Sequence, residues 1–306
     1  MSVSGTITIA NIKNLLWPGV DMFSVDDDIY EGEWEFCGYH KRKSDKAVEI
    51  IPEMQMMPIA QIKQPGGPVA LGSMRQLFLS EFYHNYSGIA FQITSQALQD
   101  NQYRDVFPRG MGSIKNSCIQ YKDGVGASTF NNGFDSSFPV ADGKAFYAVD
   151  HPTGVNTTYA NTFSTPVELQ EDTLMEMLLI NQKFLAASGL KIPGRDKFLL
   201  VPTDQQFVID EILGSKYRPD TANNAINPIV NMGMLPEGYR VNHFILDQSF
   251  SCIINDHDEG LIYYEREPLT TDMEVSTLTT TLTTMGYERF SMGVANPRVS
   301  TGARGF

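Results

Sequence analysis

Pro65-Gly66-Gly67-Pro68 interrupts a stretch that otherwise reads as extended chain, and this interruption constrains the fold most. Glycine supplies the backbone freedom a reversal needs, and the flanking prolines stop strand pairing from running through it. Before it lies AVEIIPEMQMMPIAQI (47–62), and after it RQLFLSEFYHNYSGIAFQIT (75–94). In the second arm Phe78, Phe82 and Tyr86, then Ile89, Phe91 and Ile93, recur at even spacing, with a change of register near Ser87-Gly88. Two long arms around a tip, with little apolar surface to bury between them, predict a protruding hairpin.

The elements around it mix periods. Ile12, Leu15, Leu16, Val20 and Phe23 share a helical face that Pro18 breaks. This reads as a short amphipathic arm that must lie on something to cover its stripe. Met111, Ile114, Cys118, Tyr121 and Val125 predict a helix over 108–130. Gly110, Gly112, Gly124 and Gly126 each weaken it by up to about 1 kcal/mol relative to alanine, so it needs tertiary support. Thr165-Pro166-Val167-Glu168 reads as a capping box opening a helix through Leu174, Met177, Leu178 and Leu185 to Gly189. KFLLVP (197–202) reads as a buried strand. Thr203-Asp204-Gln205-Gln206 then caps a helix carrying Phe207, Ile212 and Leu213 to Gly214. FSCII and LIYYERE around residues 255–260 read as a hairpin, and the Thr-rich 274–294 as one long extended segment. The basic run His40 to Lys46 reads as a solvated loop. Together these predict an α+β fold with no linker dividing independent domains.

Chemistry is sparse. The five histidines form no HExxH pair, and there is neither a GxSxG elbow nor a phosphate loop. Asp150 and His151 are adjacent, but neighbours in extended chain point to opposite faces, so no dyad is expected. Asp256, His257, Asp258 and Glu259 read as a solvated turn, outside the register of a calcium loop. Cys37, Cys118 and Cys252 are odd in number and lack CxxC spacing. They point to a reducing compartment, without disulfides or a zinc knuckle. Trp17 and Trp34 make no stacking platform with basic residues. A net charge of −13 speaks against gripping a nucleic acid backbone, yet suits the wall of a container that nucleic acid must slide past. No apolar run approaches the roughly 20 residues of a membrane span, and no signal peptide is seen. The expectation is a structural protein: not an enzyme, with no catalytic residues, cofactor or metal. Only 19% of residues are charged, which suits a surface covered by copies of itself.

The order of segments resembles a known family. GIAFQITSQALQDNQYRDVF (88–107) and ADGKAFYAVDHPTG (141–154) look like the corresponding segments of Mu-like major head proteins of tailed bacteriophages. IANIKNLLWPGVDMFS (9–24) resembles their N-terminal helix, and RFSMGVANPR (289–298) the final strand of many tailed-phage capsid proteins. The resemblance implies the HK97-type capsid fold: an N-terminal arm at 1–30 and an extended hairpin, the E-loop, at 45–86. A peripheral domain would combine 31–44, 87–159 and 256–306, with a long spine helix at about 104–132. An axial domain would occupy 160–255. It further implies hexamers and pentamers closing an icosahedral shell around double-stranded DNA that is bound without sequence specificity. Scaffold, portal and decoration proteins would be further partners, and a membrane would not. Location would be the virion, after assembly in the bacterial host cytoplasm. Residues expected to matter for assembly are Lys63, Gly66 and Gly67 at the loop tip, and Gly124 and Gly126 in the spine. Lys63 is the one candidate donor for the isopeptide cross-link of some relatives, but no partner asparagine or activating glutamate stands out, and no cross-link is expected. The alternative is an encapsulin-like nanocompartment shell.

Overall fold

The computed structural model describes residues 31–94, 96, 103–154, 157–186, 188–192, 194–216, 226–257, 259–276 and 281–305. The amphipathic segment at 9–23, and Trp17 with it, lies outside them.

Strands β1 (His40–Lys43), β2 (Val48–Met54), β3 (Gln76–Tyr83) and β4 (Asn85–Thr94) precede helix α1 (Tyr103–Asn131). Short strands β5 (His151–Pro152) and β6 (Thr158–Tyr159) lead to helix α2 (Glu171–Gln182) and strand β7 (Asp196–Pro202). Helices α3 (Gln206–Gly214) and α4 (Pro228–Met232) follow, then β8 (Tyr239–Asn242), β9 (Phe250–Asn255), β10 (Leu261–Ser276), β11 (Thr281–Val294) and β12 (Ser300–Arg304). Among the described residues these strands make two four-stranded sheets, ordered β1-β10-β11-β4 and β12-β9-β7-β8, and the two-stranded pairs β2-β3 and β5-β6.

In the first sheet, β10 and β11 pair antiparallel from Leu261↔Val294 to Ser276↔Thr281. The expected single extended segment at 274–294 is therefore the end of one strand and all of the next. Helix α1 covers this sheet, with Met111, Ile114 and Cys118 buried against Ile93, Met273 and Leu282. Two glycines allow the close approach. A Cβ on Gly286 would meet Ile114 Cγ2 at 2.4 Å, and one on Gly110 would meet the Phe91 ring at 2.6 Å. The helix begins before the expected 108, and Tyr121, part of the repeat that predicted it, is exposed.

The second sheet is more deeply buried. All six residues of β9 are inaccessible, flanked by β7 and β12. Leu174, Met177 and Leu178 of α2, Ile209 of α3 and Ile229 of α4 pack on Leu199, Val201 and Ile253. A third cluster joins the two sheets. Trp34, Tyr39, Phe130 and Tyr263 pack together with Phe146, Tyr147, Phe198 and Phe250. Each such ring buries roughly 150–250 Å², so the two sheets share one continuous aromatic core.

Several local expectations give way to longer-range pairing. The capping box at 165–168 is not used: Val167 N–H donates to Arg304 O across the sheet end, and α2 starts at Glu171. Leu185 lies beyond that helix, bridged to Lys191 around Gly189 at φ +79°. Phe207 is 76% exposed, and Ile209 takes the core position of α3. Strands β9 and β10 belong to different sheets, so they do not form the expected hairpin. The basic run at 40–46 includes strand β1, paired parallel to β10 at the sheet edge. The register change in 75–94 falls at His84, between strands of different sheets.

Candidate assembly surfaces

Strands β2 and β3 form a hairpin from Val48↔Tyr83 to Met54↔Gln76. One further bond, Gln55 N–H to Arg75 O at 2.8 Å, closes it. Residues 56–74 beyond it belong to no strand. At the tip Gly66 adopts φ +78°, a left-handed conformation that favours glycine, and Gly67 N–H donates to Gln64 O at 3.0 Å. Lys63 stands exposed beside this turn. Along the arms Met56, Met57, Ile59, Val69 and Met74 are exposed, Ile62 is 97% exposed and Leu71 is 99% exposed. Exposed apolar surface on this scale is characteristic of interaction sites.

The hairpin's root is held firmly. Phe82 packs with Ile262 and Tyr264. Ser80 Oγ donates to Ala295 O at 3.0 Å, and Arg75 Nη2 donates to Gly154 O at 2.6 Å. Arg298, 3% exposed, donates from Nη1 to Glu53 Oε1 on β2 at 2.7 Å. Its guanidinium lies 4.3 Å from the Tyr159 ring centroid, and Tyr159 stacks on His151 at 5.1 Å. His151 in turn places Nδ1 2.6 Å from Asp142 Oδ2 and Nε2 3.2 Å from Phe146 O. Ordering of the hairpin is thus coupled to a buried stack of charged and aromatic groups.

That geometry disposes of the one sequence pair resembling catalytic machinery. Asp150 is exposed and pairs with Lys144, whereas His151 is fully buried on Asp142. Asp256 of the acidic loop is likewise engaged structurally. Asp256 Oδ1 accepts from Lys197 Nζ at 2.7 Å, and that lysine holds its carboxyl below the usual range. Among the described residues no group of three or more histidine, cysteine or acidic side chains is placed to hold a metal. No described helix is long and apolar enough to cross a membrane. The three cysteines are buried and unpaired, and burial pushes the thiols of Cys37 and Cys252 up to about 12 and that of Cys118 up to about 11. Thiolate chemistry is thereby suppressed.

The two spine glycines are not equivalent. Gly124 faces open space, with nothing within 4 Å of an added Cβ. Gly126 is buried; its Cβ would lie 3.2 Å from Trp34 Cβ, and its carbonyl accepts from Tyr39 Oη at 2.8 Å. Near them Lys122 and Glu288 pair at 2.6 Å inside the molecule. Burial raises the Glu288 carboxyl, with Lys122 working against that rise. Sequence reasoning did not find Glu53, Asp142 or Arg298. Arg298 follows Asn296-Pro297, a legible turn in which Asn296 Oδ1 accepts from Arg298 N–H, but its carboxylate partner is 245 positions away.

Comparison with known proteins supplies the frame for these surfaces. The family model described as phage capsid protein matches residues 85–299. The chain belongs to the phage capsid protein family. The match begins at β4 and takes in α1 and three of the four strands of each larger sheet, leaving out β1 and β12. Among solved structures, that of Mycobacterium phage Patience is 12% identical, covering 99% of this chain and 90% of the other at a TM-score of 0.53. The capsid of Myoviridae phage XM1 is 7% identical, covering 99% and 100% at a TM-score of 0.53. A virus-like particle from Pyrococcus furiosus is 9% identical, covering 96% and 98% at a TM-score of 0.50. Comparison with curated proteins gives no match. At such low identity the structures show the fold, the α+β HK97-type capsid fold, and the family match makes this phage capsid protein a structural subunit of a virion shell.

Proposed function

We propose that this capsid protein assembles as hexamers and pentamers into an icosahedral head enclosing double-stranded DNA. In this reading residues 1–30 are an arm laid on neighbours and 45–86 the E-loop. Residues 31–44, 87–159 and 256–306 form a peripheral domain with α1 as its spine, and 160–255 an axial domain built on the β12-β9-β7-β8 sheet. The observation that carries it is the hairpin: a firmly rooted element whose arms expose Ile62 and Leu71 almost completely. Burying such side chains is worth roughly 1.5–3 kcal/mol each, and among the described residues Ile62 and Leu71 bury against nothing. Many modest contacts repeated over a closed shell give a stable particle through effective concentration.

The net charge of −13 suits a wall that DNA contacts without sequence-specific binding. Scaffold, portal and decoration proteins belong to the same reading, as does assembly in the host cytoplasm. A nanocompartment shell shares the fold, and the phage capsid family match favours the head. Expression in bacteria, alone and with companion head proteins, followed by velocity sedimentation and electron microscopy, tests the proposal. Shells or capsomer rings are expected. A monodisperse monomer under both conditions overturns it, and a shell that packages protein in place of DNA redirects it to the nanocompartment.

A further inference from the structure

Three polar side chains, from α2, β7 and β12, meet out of water. Asn181 lies in the last turn of α2, Asp196 opens β7 and Thr301 lies in β12. Asn181 and Thr301 are fully buried, and Asp196 is 8% exposed. Asn181 Nδ2 donates to Asp196 Oδ1 at 2.7 Å, and Thr301 Oγ1 donates to Asn181 Oδ1. These two bonds set the amide's orientation, nitrogen toward the carboxyl and oxygen toward the hydroxyl. The carboxamide therefore has an alcohol on its carbonyl side and an acid on its leaving-group side. Burial pushes the Asp196 carboxyl up to about 6, against the help of Asn181, so it keeps its proton to higher pH than an exposed aspartate. Nucleophile, electrophile and proton donor are held together by the fold, with water excluded.

We propose that Thr301 and Asn181 join in an intramolecular ester bond, formed after folding, with Asp196 as the acid that releases ammonia. Thr301 Oγ1 bonds to Asn181 Cγ, which is one covalent bond, about 1.2 Å, from the oxygen it already touches. Its proton passes to Oδ1, giving a neutral tetrahedral carbon. Asp196 then protonates Nδ2, the Cγ–Nδ2 bond breaks with its electron pair on nitrogen, and ammonia departs. The Asp196 carboxylate takes the Oδ1 proton, which restores both the carbonyl and the acid. An O–H and a C–N bond are exchanged for a C–O and an N–H bond, so the step consumes no oxidant, reductant or co-reactant. Fixed proximity replaces a chance encounter, and the absence of water protects the ester from hydrolysis. The bond ties the end of α2 to β12 across 120 positions. Strand β12 ends its sheet, and the ester fastens it to the helix packed on it.

This inference does not depend on the capsid reading, because one subunit carries all three groups. The purified, folded chain is incubated and denatured, and its intact mass is followed. The chain becomes lighter by one ammonia. Trypsin then releases a branched peptide joining residues 145–183 to 299–304, and hydroxylamine separates the two. Thr301→Val abolishes the branch and Thr301→Ser keeps it. Asp196→Asn slows its formation by at least about a hundredfold. An unreacted mass after prolonged incubation of the folded chain overturns the proposal and leaves the three groups as a hydrogen-bonded network. Loss of ammonia without the branched peptide, or to the same extent in Thr301→Val, also overturns it, since the ammonia then leaves from another side chain. An Asp196→Asn chain that cross-links at the full rate overturns the role given to the acid. If a variant fails to fold, the mass and peptide map of the unmodified chain decide alone.

Discussion

Strand β9 and the hairpin arms at 56–74 are both rich in large apolar residues, and the molecule uses them in opposite ways. In β9 Phe250, Cys252, Ile253 and Ile254 are all buried, sealed between β7 and β12 and covered on both faces by other apolar groups. In the arms Ile62, Val69 and Leu71 face water, while the root beneath them is pinned by Phe82, Arg298 and Arg75. Hydrophobicity per residue does not separate these regions; position relative to a closed core does. One region makes the subunit, and the other is presented by the subunit to its neighbours. Substitutions of similar severity should therefore produce opposite patterns of stability and assembly.

The sharpest contrast comes from Leu71→Asp. The side chain touches nothing that holds the subunit together, so unfolding free energy should change by no more than about 0.5 kcal/mol. Particle formation, read by sedimentation and microscopy, should be lost. Preserved shells would place the apolar arms outside the assembly contacts. Phe250→Ala is the reverse case. Its ring packs with Phe130, Phe134 and Tyr147, and removing it should cost about 3–5 kcal/mol by urea unfolding of the isolated subunit. Particles should then fall only in proportion to folded subunit. A Phe250→Ala subunit of normal stability that fails to assemble would dissolve the distinction between the two regions.

This division also explains what could be read from the chain. The hairpin was legible because Pro65-Gly66-Gly67-Pro68 is a local signal, and the long helix because Met111, Ile114 and Cys118 repeat at its own period. The buried strand at 197–202 was legible as an apolar run. What failed was sheet membership. Strands β9 and β10 are separated by a turn-like loop, yet each finds closer partners elsewhere, β9 in β7 and β12 and β10 in β11 and β1. Thr165 to Glu168 carry a helix-start pattern, but the Arg304 carbonyl competes for the Val167 N–H and holds the segment extended. Phe207 shows the same limit for side chains, since helical period cannot tell a core face from an exposed one.

Within the inward-looking sheet, one polar site gives a pH test. Asp196 accepts from Asn181 Nδ2 at 2.7 Å, and Asn181 accepts in turn from Thr301. Burial, against the help of Asn181, pushes the Asp196 carboxyl up to about 6. The unfolded chain ionises this group near pH 4, so the native state is penalised progressively between about pH 4 and pH 6 and by a constant amount above. The penalty is about 2–3 kcal/mol. Asp196→Asn keeps the acceptor and should flatten this loss, measured as the difference in urea unfolding between pH 4 and pH 7.5. An unchanged pH profile would mean that Asp196 titrates as an ordinary carboxylate. Shell geometry should be unaffected, because the group faces its own sheet.

The smallest effect divides two glycines that sequence reasoning treated as a pair. Both were expected to matter for assembly, and a side chain at either would have to impair shell closure more than subunit stability to show it. Gly126 cannot make that distinction, because any side chain there presses on Trp34 at the shared aromatic core and lowers subunit stability itself. Gly124 can, since its side faces open space. Gly124→Ala should raise subunit stability by up to about 1 kcal/mol, the helix propensity difference, seen as a higher urea midpoint. If α1 must flex for one sequence to fit several positions in a shell, the same substitution lowers the yield of closed particles while stabilising the subunit, and Gly124→Val extends the effect. Closed shells in normal yield from both variants would mean that adaptation lies in the hairpin and its root, on the neighbour-facing side of the comparison, and not in the helix.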